Sequence, residues 1–149
     1  MRILALDVGD RRTGVALSDP LGLTAQGLCV IEASGVRSLV EQAAALIREH
    51  EVSRVVVGVP LNMDGSAGER ALKSRKVIEM LRSRAGVEVD PWDERLTTLQ
   101  AERTLIEADV SRRRRKEVID KMSAVLILQA YLDRTRAAPG GAPRPGLNP

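Results

Sequence analysis

Three carboxylates fall where hydrophobic periodicity predicts structure rather than solvent. Asp7 sits inside an apolar run rich in Ile, Leu and Val, which reads as a buried strand. Glu94, in Trp92-Asp93-Glu94-Arg95, ends the last strand expected in the chain, where open α/β sheets bind ligands. Asp120 lies near the start of the last helix, on one stripe with Ala124, Ile127 and Tyr131. The small Ser123 and Ala124 let that helix approach the sheet. Burying an ionised carboxylate is costly unless it is paired or holds a metal. Three converging carboxylates repel one another, and a hard divalent cation, Mg2+ or Mn2+, relieves that repulsion. Two such ions, about 4 Å apart, can activate a water and stabilise the leaving oxygen of a phosphodiester. Taken singly, each acid has a plainer reading: Asp7 as a turn residue, Glu94 and Asp120 as charges complementing helix N-termini.

Cations cluster beside one of these acids. Arg112, Arg113, Arg114, Arg115 and Lys116 directly precede Asp120. Such a run is either a solvated face or a loop gripping phosphates, a contact that is sequence-independent and salt-sensitive. Arg12, in the first hairpin turn, and Arg95, next to Glu94, are weaker candidates for the same role. Asn62 and Ser66 could hydrogen-bond a strand backbone at the sheet's end, or Ser66 could cap the helix that follows. The single histidine, His50, ends a helix. There is no Cys–His pair and no zinc spacing.

The 149 residues make one domain of ordinary size. Apolar content is 44%, yet there is no Phe, one Trp and one Tyr, so the core must be aliphatic. Base stacking on aromatic platforms is nearly absent from the repertoire. The net charge of +3 balances 23 basic against 20 acidic residues, so the distribution of charge matters more than its sum. Cys29, the lone cysteine, cannot form an internal disulfide and reads as a small core residue. No apolar run approaches the roughly 20 residues of a membrane helix, and the N-terminus lacks a signal-peptide pattern. The expectation is a cytoplasmic protein without a membrane partner.

The elements that must position these groups follow from the pattern. Strands are expected at 2–8, 13–18 and 24–31. Helical spacing of Leu39, Val40, Ala43, Leu46 and Ile47 predicts a helix over 36–50, with Ser38 and Glu41 as a capping box. The β-branched run 54–59 reads as a strand buried on both faces. After the polar loop 60–66, Ser66 and Glu69 spell a second capping box for a helix to about residue 84, carrying Leu72, Val77, Ile78 and Leu81. A strand over 87–93 follows. Thr97 and Gln100 cap a helix to about 109, and the last helix spans 118–134. Residues 1–136 form the domain; the Pro/Gly-rich tail 137–149 is expected to be disordered. Three strands in succession suit an antiparallel meander, and the later strand–helix–strand units suit parallel pairing. The prediction is an α/β fold with a mixed five-stranded sheet and helices on both faces.

Four blocks carry a resemblance. They are Asp7-Val8-Gly9 through Gly14-Val15-Ala16-Leu17-Ser18-Asp19; Val57-Gly58-Val59-Pro60-Leu61-Asn62-Met63-Asp64-Gly65-Ser66; Asp93-Glu94-Arg95-Leu96-Thr97-Thr98; and Asp120 through Ile127-Leu128-Gln129 with Tyr131-Leu132-Asp133. In this order they resemble the YqgF/RuvX family over residues 1–134. The resemblance implies an RNase H-like fold and a metal-dependent nuclease, named in that family either as a Holliday junction resolvase or as a nuclease processing the 5′ end of precursor 16S ribosomal RNA. It puts the family's metal-binding acids on Asp7, Glu94 and Asp120. The related resolvase RuvC carries a further acid one turn along the last helix, where this chain has Ser123. The family often has an aromatic in the helix after the Asn-Met-Asp-Gly-Ser loop; Val77 or Ile78 stands in here.

The leading expectation is therefore an endonuclease acting on structured nucleic acid, either an rRNA precursor or a four-way DNA junction. A junction cut symmetrically would require a homodimer. The alternatives are a nucleic-acid-binding or ribosome-assembly module without cleavage, and a nucleotide-phosphate binder suggested by Asp-x-Gly-x-x-x-x-Gly with Ser18-Asp19. The latter needs a second domain that this length leaves no room for.

Overall fold

The computed structural model describes residues 2–97 and 112–137, with side chains in the last helix over 121–135. Strands β1 (Arg2–Asp7), β2 (Arg12–Ser18) and β3 (Ala25–Glu32) come first. Helix α1 (Val36–Glu49), strand β4 (Val52–Val59), helix α2 (Glu69–Ala85) and strand β5 (Glu88–Asp93) follow. A short 3-10 turn (Glu94–Leu96) continues from β5, and a helix over Arg112–Ala137, α3 here, closes the described chain. The expected helix over 97–109 and the tail from 138 lie outside the described residues.

The five strands form one sheet in the order β3-β2-β1-β4-β5. The pairs β1–β2 and β2–β3 are antiparallel, as successive hairpins dictate. The pairs β1–β4 and β4–β5 are parallel, as helix crossovers require. Alternation along the strands gives the sheet two unlike faces. Leu4, Leu6, Val15, Val55, Val57 and Val89 point to the face covered by α1 and α2, where Leu39, Val40, Ile47, Val77, Ile78 and Leu81 meet them. Ala5, Ala16 and Val56 point to the other face, where Ala124, Ile127, Leu128 and Tyr131 of α3 pack on them together with Trp92. Small residues on both sides bring α3 close to the sheet, and Trp92 and Tyr131 fill the remaining volume edge to face, centroids 6.2 Å apart.

A buried polar cluster fixes α3 on the sheet. Tyr131 Oη donates to Asp90 Oδ2 at 3.0 Å, and Arg54 Nη1 donates to both, at 3.2 Å and 2.9 Å. Arg54 also pairs with Glu88. Burial raises the Tyr131 phenol above its ordinary value, so the hydroxyl stays protonated and keeps its donor role.

Local signals were overridden at several points. Neither capping box forms: α1 and α2 are capped by Gly35 and Gly68 with no side-chain bond. Ser38 lies within α1, where Gln42 Nε2 donates to its hydroxyl, and Ser66 stays in the preceding loop. The β4 strand starts two residues earlier than its β-branched run, at Val52. The last helix starts at Arg112, so the basic run 112–116 forms its first turns and not a loop. On α2 the buried stripe is Ala71, Ser74, Val77, Ile78 and Leu81, whereas Leu72 is 56% exposed. Leu72 is off the stripe by one residue, about 100° of helix rotation.

This sorting predicts unequal effects within one helix. Leu81→Ala should lower the unfolding free energy by about 2–5 kcal/mol, the usual range for truncating a buried leucine. Leu72→Ala should change it by less than about 0.5 kcal/mol. Urea denaturation of the two variants checks both.

Candidate active site

The C-terminal ends of β1, β4 and β5 meet the face that α3 covers. Asp7 is the last residue of β1, opposite Gly14 of β2. It shares its face with Ala5, which packs under α3, and it is only 6% exposed. The β1–β4 register pairs Leu6 with Val57, so the next residue along each strand sets Asp7 beside Gly58. Gly58 in turn pairs with Trp92 of β5. Two residues beyond Trp92 the strand turns into the 3-10 segment, and the half-buried Glu94 folds back over Gly58.

Gly58 shows how close this approach is. A Cβ built there would lie 2.9 Å from Glu94 Oε2 and 2.7 Å from Ile127 Cδ1 of α3. A side chain there would have to push the Glu94 carboxylate or Ile127 aside, so the glycine lets both lie directly against the strand backbone. Asp7 Oδ1 and Glu94 Oε2 are buried oxygens that accept no hydrogen bond from a described residue, although both side chains are otherwise engaged.

Asp120 is the third expected ligand. Its side chain lies outside those described, and its backbone is in α3. Tyr131 meets β4 and β5 at Arg54 and Asp90, and Ile127 meets β4 farther on, at Gly58. The helix therefore runs antiparallel to β4. Position 120, two turns before Ile127, lies roughly 10 Å farther along, past the strand ends. Ser123, where RuvC has a fourth acid, is buried. Among the described residues no group of three His, Cys, Asp or Glu side chains could hold a metal.

The polar residues around the acids hold the frame. Asp93 is buried and accepts from the Arg95 backbone N–H at 3.0 Å and from its guanidinium Nε and Nη2 at 3.0 Å and 2.6 Å. The Arg95 guanidinium holds the Asp93 carboxyl below its ordinary value. Arg95 Nη1 also reaches Met63 O of the β4–α2 loop at 3.5 Å. Thr97 closes the turn, its hydroxyl donating to Glu94 O at 3.0 Å. The β4–α2 loop is self-contained: Asn62 Nδ2 donates to Ser66 Oγ at 2.9 Å, and Ser66 Oγ donates to Asp64 Oδ1 at 2.6 Å. These bonds hold Asp64 below its ordinary value. Asn62 and Ser66 thus brace their own loop and neither bonds a strand backbone nor caps α2.

Arg95 is committed to Asp93 and the loop, although its side chain is 39% exposed. Arg12 pairs with Glu32 across the β2–β3 hairpin at 3.5 Å. The side chains of Arg112, Arg113, Arg114, Arg115 and Lys116 lie outside those described. His50 ends α1 and lies 3.5 Å from Glu49. Asp19 accepts the backbone N–H groups of Leu23 and Thr24, both at 2.7 Å, in its own turn. The half-buried Cys29 packs on the core, and burial raises its thiol.

A family model described as "RuvX: Holliday junction resolvase" matches residues 1–134. The chain belongs to the RuvX family. A "Putative pre-16S rRNA nuclease" of Pelotomaculum thermopropionicum is 53% identical over 145 residues, 95% of this chain and 94% of that protein. Proteins of the same name from Listeria innocua serovar 6a and Myxococcus xanthus are 56% and 52% identical, over 91% of this chain and 99% and 90% of theirs. Among solved structures, T. thermophilus RuvC in complex with a Holliday junction substrate superposes with a TM-score of 0.65 at 15% identity, covering 97% of this chain and 99% of that one. The fowlpox virus Holliday junction resolvase gives 0.57 at 11%, over 89% and 99%. At these identities the likeness is one of fold, the RNase H-like fold of this RuvX domain.

Sequence reasoning passed over Gly58 and Asp93 as working residues. A glycine interrupting four valines was the available signal for a close approach. Asp93 offered none beyond adjacency to Glu94. Gly58→Ala should displace Glu94 or Ile127 and lower stability by about 1–3 kcal/mol, measured by urea denaturation. Asp93→Asn should lower stability at neutral pH by about 1–2 kcal/mol, toward the low end because Arg95 is solvent-exposed. Because the folded-state value of Asp93 lies below its unfolded value of about 3.9, its contribution is complete above that value and fades as pH falls through the lowered one. The difference between wild type and Asp93→Asn should therefore be constant from pH 6 to 8 and close in acid, as a pH series of denaturation curves would record.

Proposed function

We propose that this RuvX protein is a metal-dependent endonuclease acting on structured nucleic acid, with precursor 16S ribosomal RNA as its substrate. The observation that carries the reading is that Asp7, ending β1, and Glu94, in the turn after β5, come to one face of the sheet beside Gly58. The names of relatives more than 50% identical over nearly the whole chain support the RNA substrate. RuvC supports the fold but, at 15% identity, not the junction as substrate.

The donor set fits a hard cation. Carboxylate oxygens from Asp7 and Glu94, with Asp120 as the third, are the ligands Mg2+ or Mn2+ prefers. Bringing carboxylates together away from water is costly, and a divalent cation would offset that cost. When bound, such an ion supplies a water of lowered pKa and stabilises the leaving oxygen of the phosphodiester. The protein's part is to hold the oxygens at fixed separation. β1 fixes Asp7 through its two-sided ladder, and Gly58 and the 3-10 turn fix Glu94. The Tyr131–Asp90–Arg54 cluster sets the axial position of α3 and hence of residue 120. The basic run 112–116, which precedes Asp120 in the chain, would supply cations for backbone phosphates, a contact that does not read sequence. With one Trp and one Tyr in the whole chain, both buried, recognition rests on duplex shape and backbone rather than on stacking.

The test is side-by-side cleavage of a precursor 16S rRNA fragment and a four-way DNA junction, with Mg2+ or Mn2+ and after chelation. We expect RNA cleavage that needs the ion and falls at least about 100-fold in Asp7→Asn, Glu94→Gln and Asp120→Asn. Equal activity of wild type and Asp7→Asn would overturn the reading. Metal-dependent cutting of the junction alone, by a dimer, would replace the RNA with DNA.

A further inference from the structure

The turn between β1 and β2 begins immediately after Asp7, and helix α2 grips it from behind. Lys73 Nζ donates to Gly9 O at 2.8 Å and to Asp10 O at 2.9 Å. Arg70 Nη2 donates to Val8 O at 3.3 Å. Three successive carbonyls are thus taken by two cations one helical turn apart. These contacts bridge more than sixty residues of sequence. Within the turn the chain is folded so tightly that a Cβ on Gly9 would lie 2.4 Å from Arg12 O.

We propose that Lys73, supported by Arg70, is a positioning residue for Asp7, holding the turn so that the carboxylate keeps its place in the metal site. The proposal rests on the reading of Asp7 as a metal-holding acid. Geometry distinguishes this role from direct contact with substrate. Helix α2 covers the face to which Leu4, Leu6 and Val8 point, whereas Asp7 shares its face with Ala5 under α3. Lys73 therefore approaches from the side opposite the carboxylate. Geometry also argues for more than hairpin stability. The β1–β2 ladder is closed by its own pairs up to Asp7 and Gly14. The cations act beyond it, on the residues whose displacement would swing Asp7. Lysine suits the task because its ammonium carries three donors and can serve two carbonyls at once.

The test uses the full chain and Mn2+ alone as probe. Calorimetric Mn2+ titrations of wild type, Asp7→Asn, Lys73→Met and Lys73→Arg are compared, with hydrogen exchange followed at residues 9–12. Lys73→Met should weaken Mn2+ affinity about 10–100-fold, the usual effect of losing a partner that orients a ligand. It should also speed exchange in the turn, and Lys73→Arg should recover most of both. The salt dependence of nucleic-acid affinity should stay unchanged, whereas loss of a phosphate contact would reduce its slope by about 1. If Lys73→Met does not fold, Arg70→Gln carries the same comparison. Unchanged Mn2+ affinity in the folded variants, with Asp7→Asn still impaired, overturns this proposal alone. If wild type and Asp7→Asn take up Mn2+ equally, the metal reading of Asp7 fails and the proposal fails with it.

Discussion

The candidate site depends on a close approach of two side chains to bare strand backbone at Gly58. At Gly58 the Glu94 carboxylate and Ile127 of α3 press against β4. A methyl group there would force the Glu94 carboxylate or the Ile127 side chain to give way. The consequence for function is direct. Glu94 lies over the central strands only because β4 offers bare backbone at that point, and Asp7 occupies the neighbouring position on β1. Two acids from distant parts of the sequence thereby come to one face, an arrangement that a hard cation would stabilise.

The two faces of the sheet divide the work between stability and placement. The face under α1 and α2 is packed with branched aliphatic residues, and burial of that surface is the main favourable contribution to folding. The face under α3 carries alanines and a glycine, so the helix sits low and its position is set by shape. Tyr131, Asp90 and Arg54 then lock the helix at one end. Asp7 and Glu94 lie toward the other end. The latch at the starts of β4 and β5 thus fixes how far the helix sits along the sheet.

Much of this was legible in the sequence because alternation and helical spacing are strong signals in long apolar runs. Val55, Val56 and Val57 announced a strand buried on both faces, and Ala124, Ile127 and Tyr131 announced a helix with a narrow apolar stripe. Asp7 stands out because it breaks such a run. What was not legible depended on contacts between segments far apart in the chain. Ser66 looks like a helix cap until Asp64 and Asn62 claim its hydroxyl. Arg95 reads as a phosphate contact until Asp93 takes its guanidinium. Leu72 has the composition of a core residue but the wrong angular position on α2. The arginines from 112 look like a loop because like charges repel, yet they continue a helix that packing of its later turns stabilises.

The central claim is that Asp7 and Glu94 face a common cation above Gly58. Anomalous diffraction from crystals soaked in Mn2+ measures this directly. The account predicts a manganese peak on the α3 side of β1 and β4, within coordination distance of carboxylate oxygens from both residues. A crystal that takes up manganese elsewhere while that position stays empty, with Asp7 and Glu94 ordered, would contradict it.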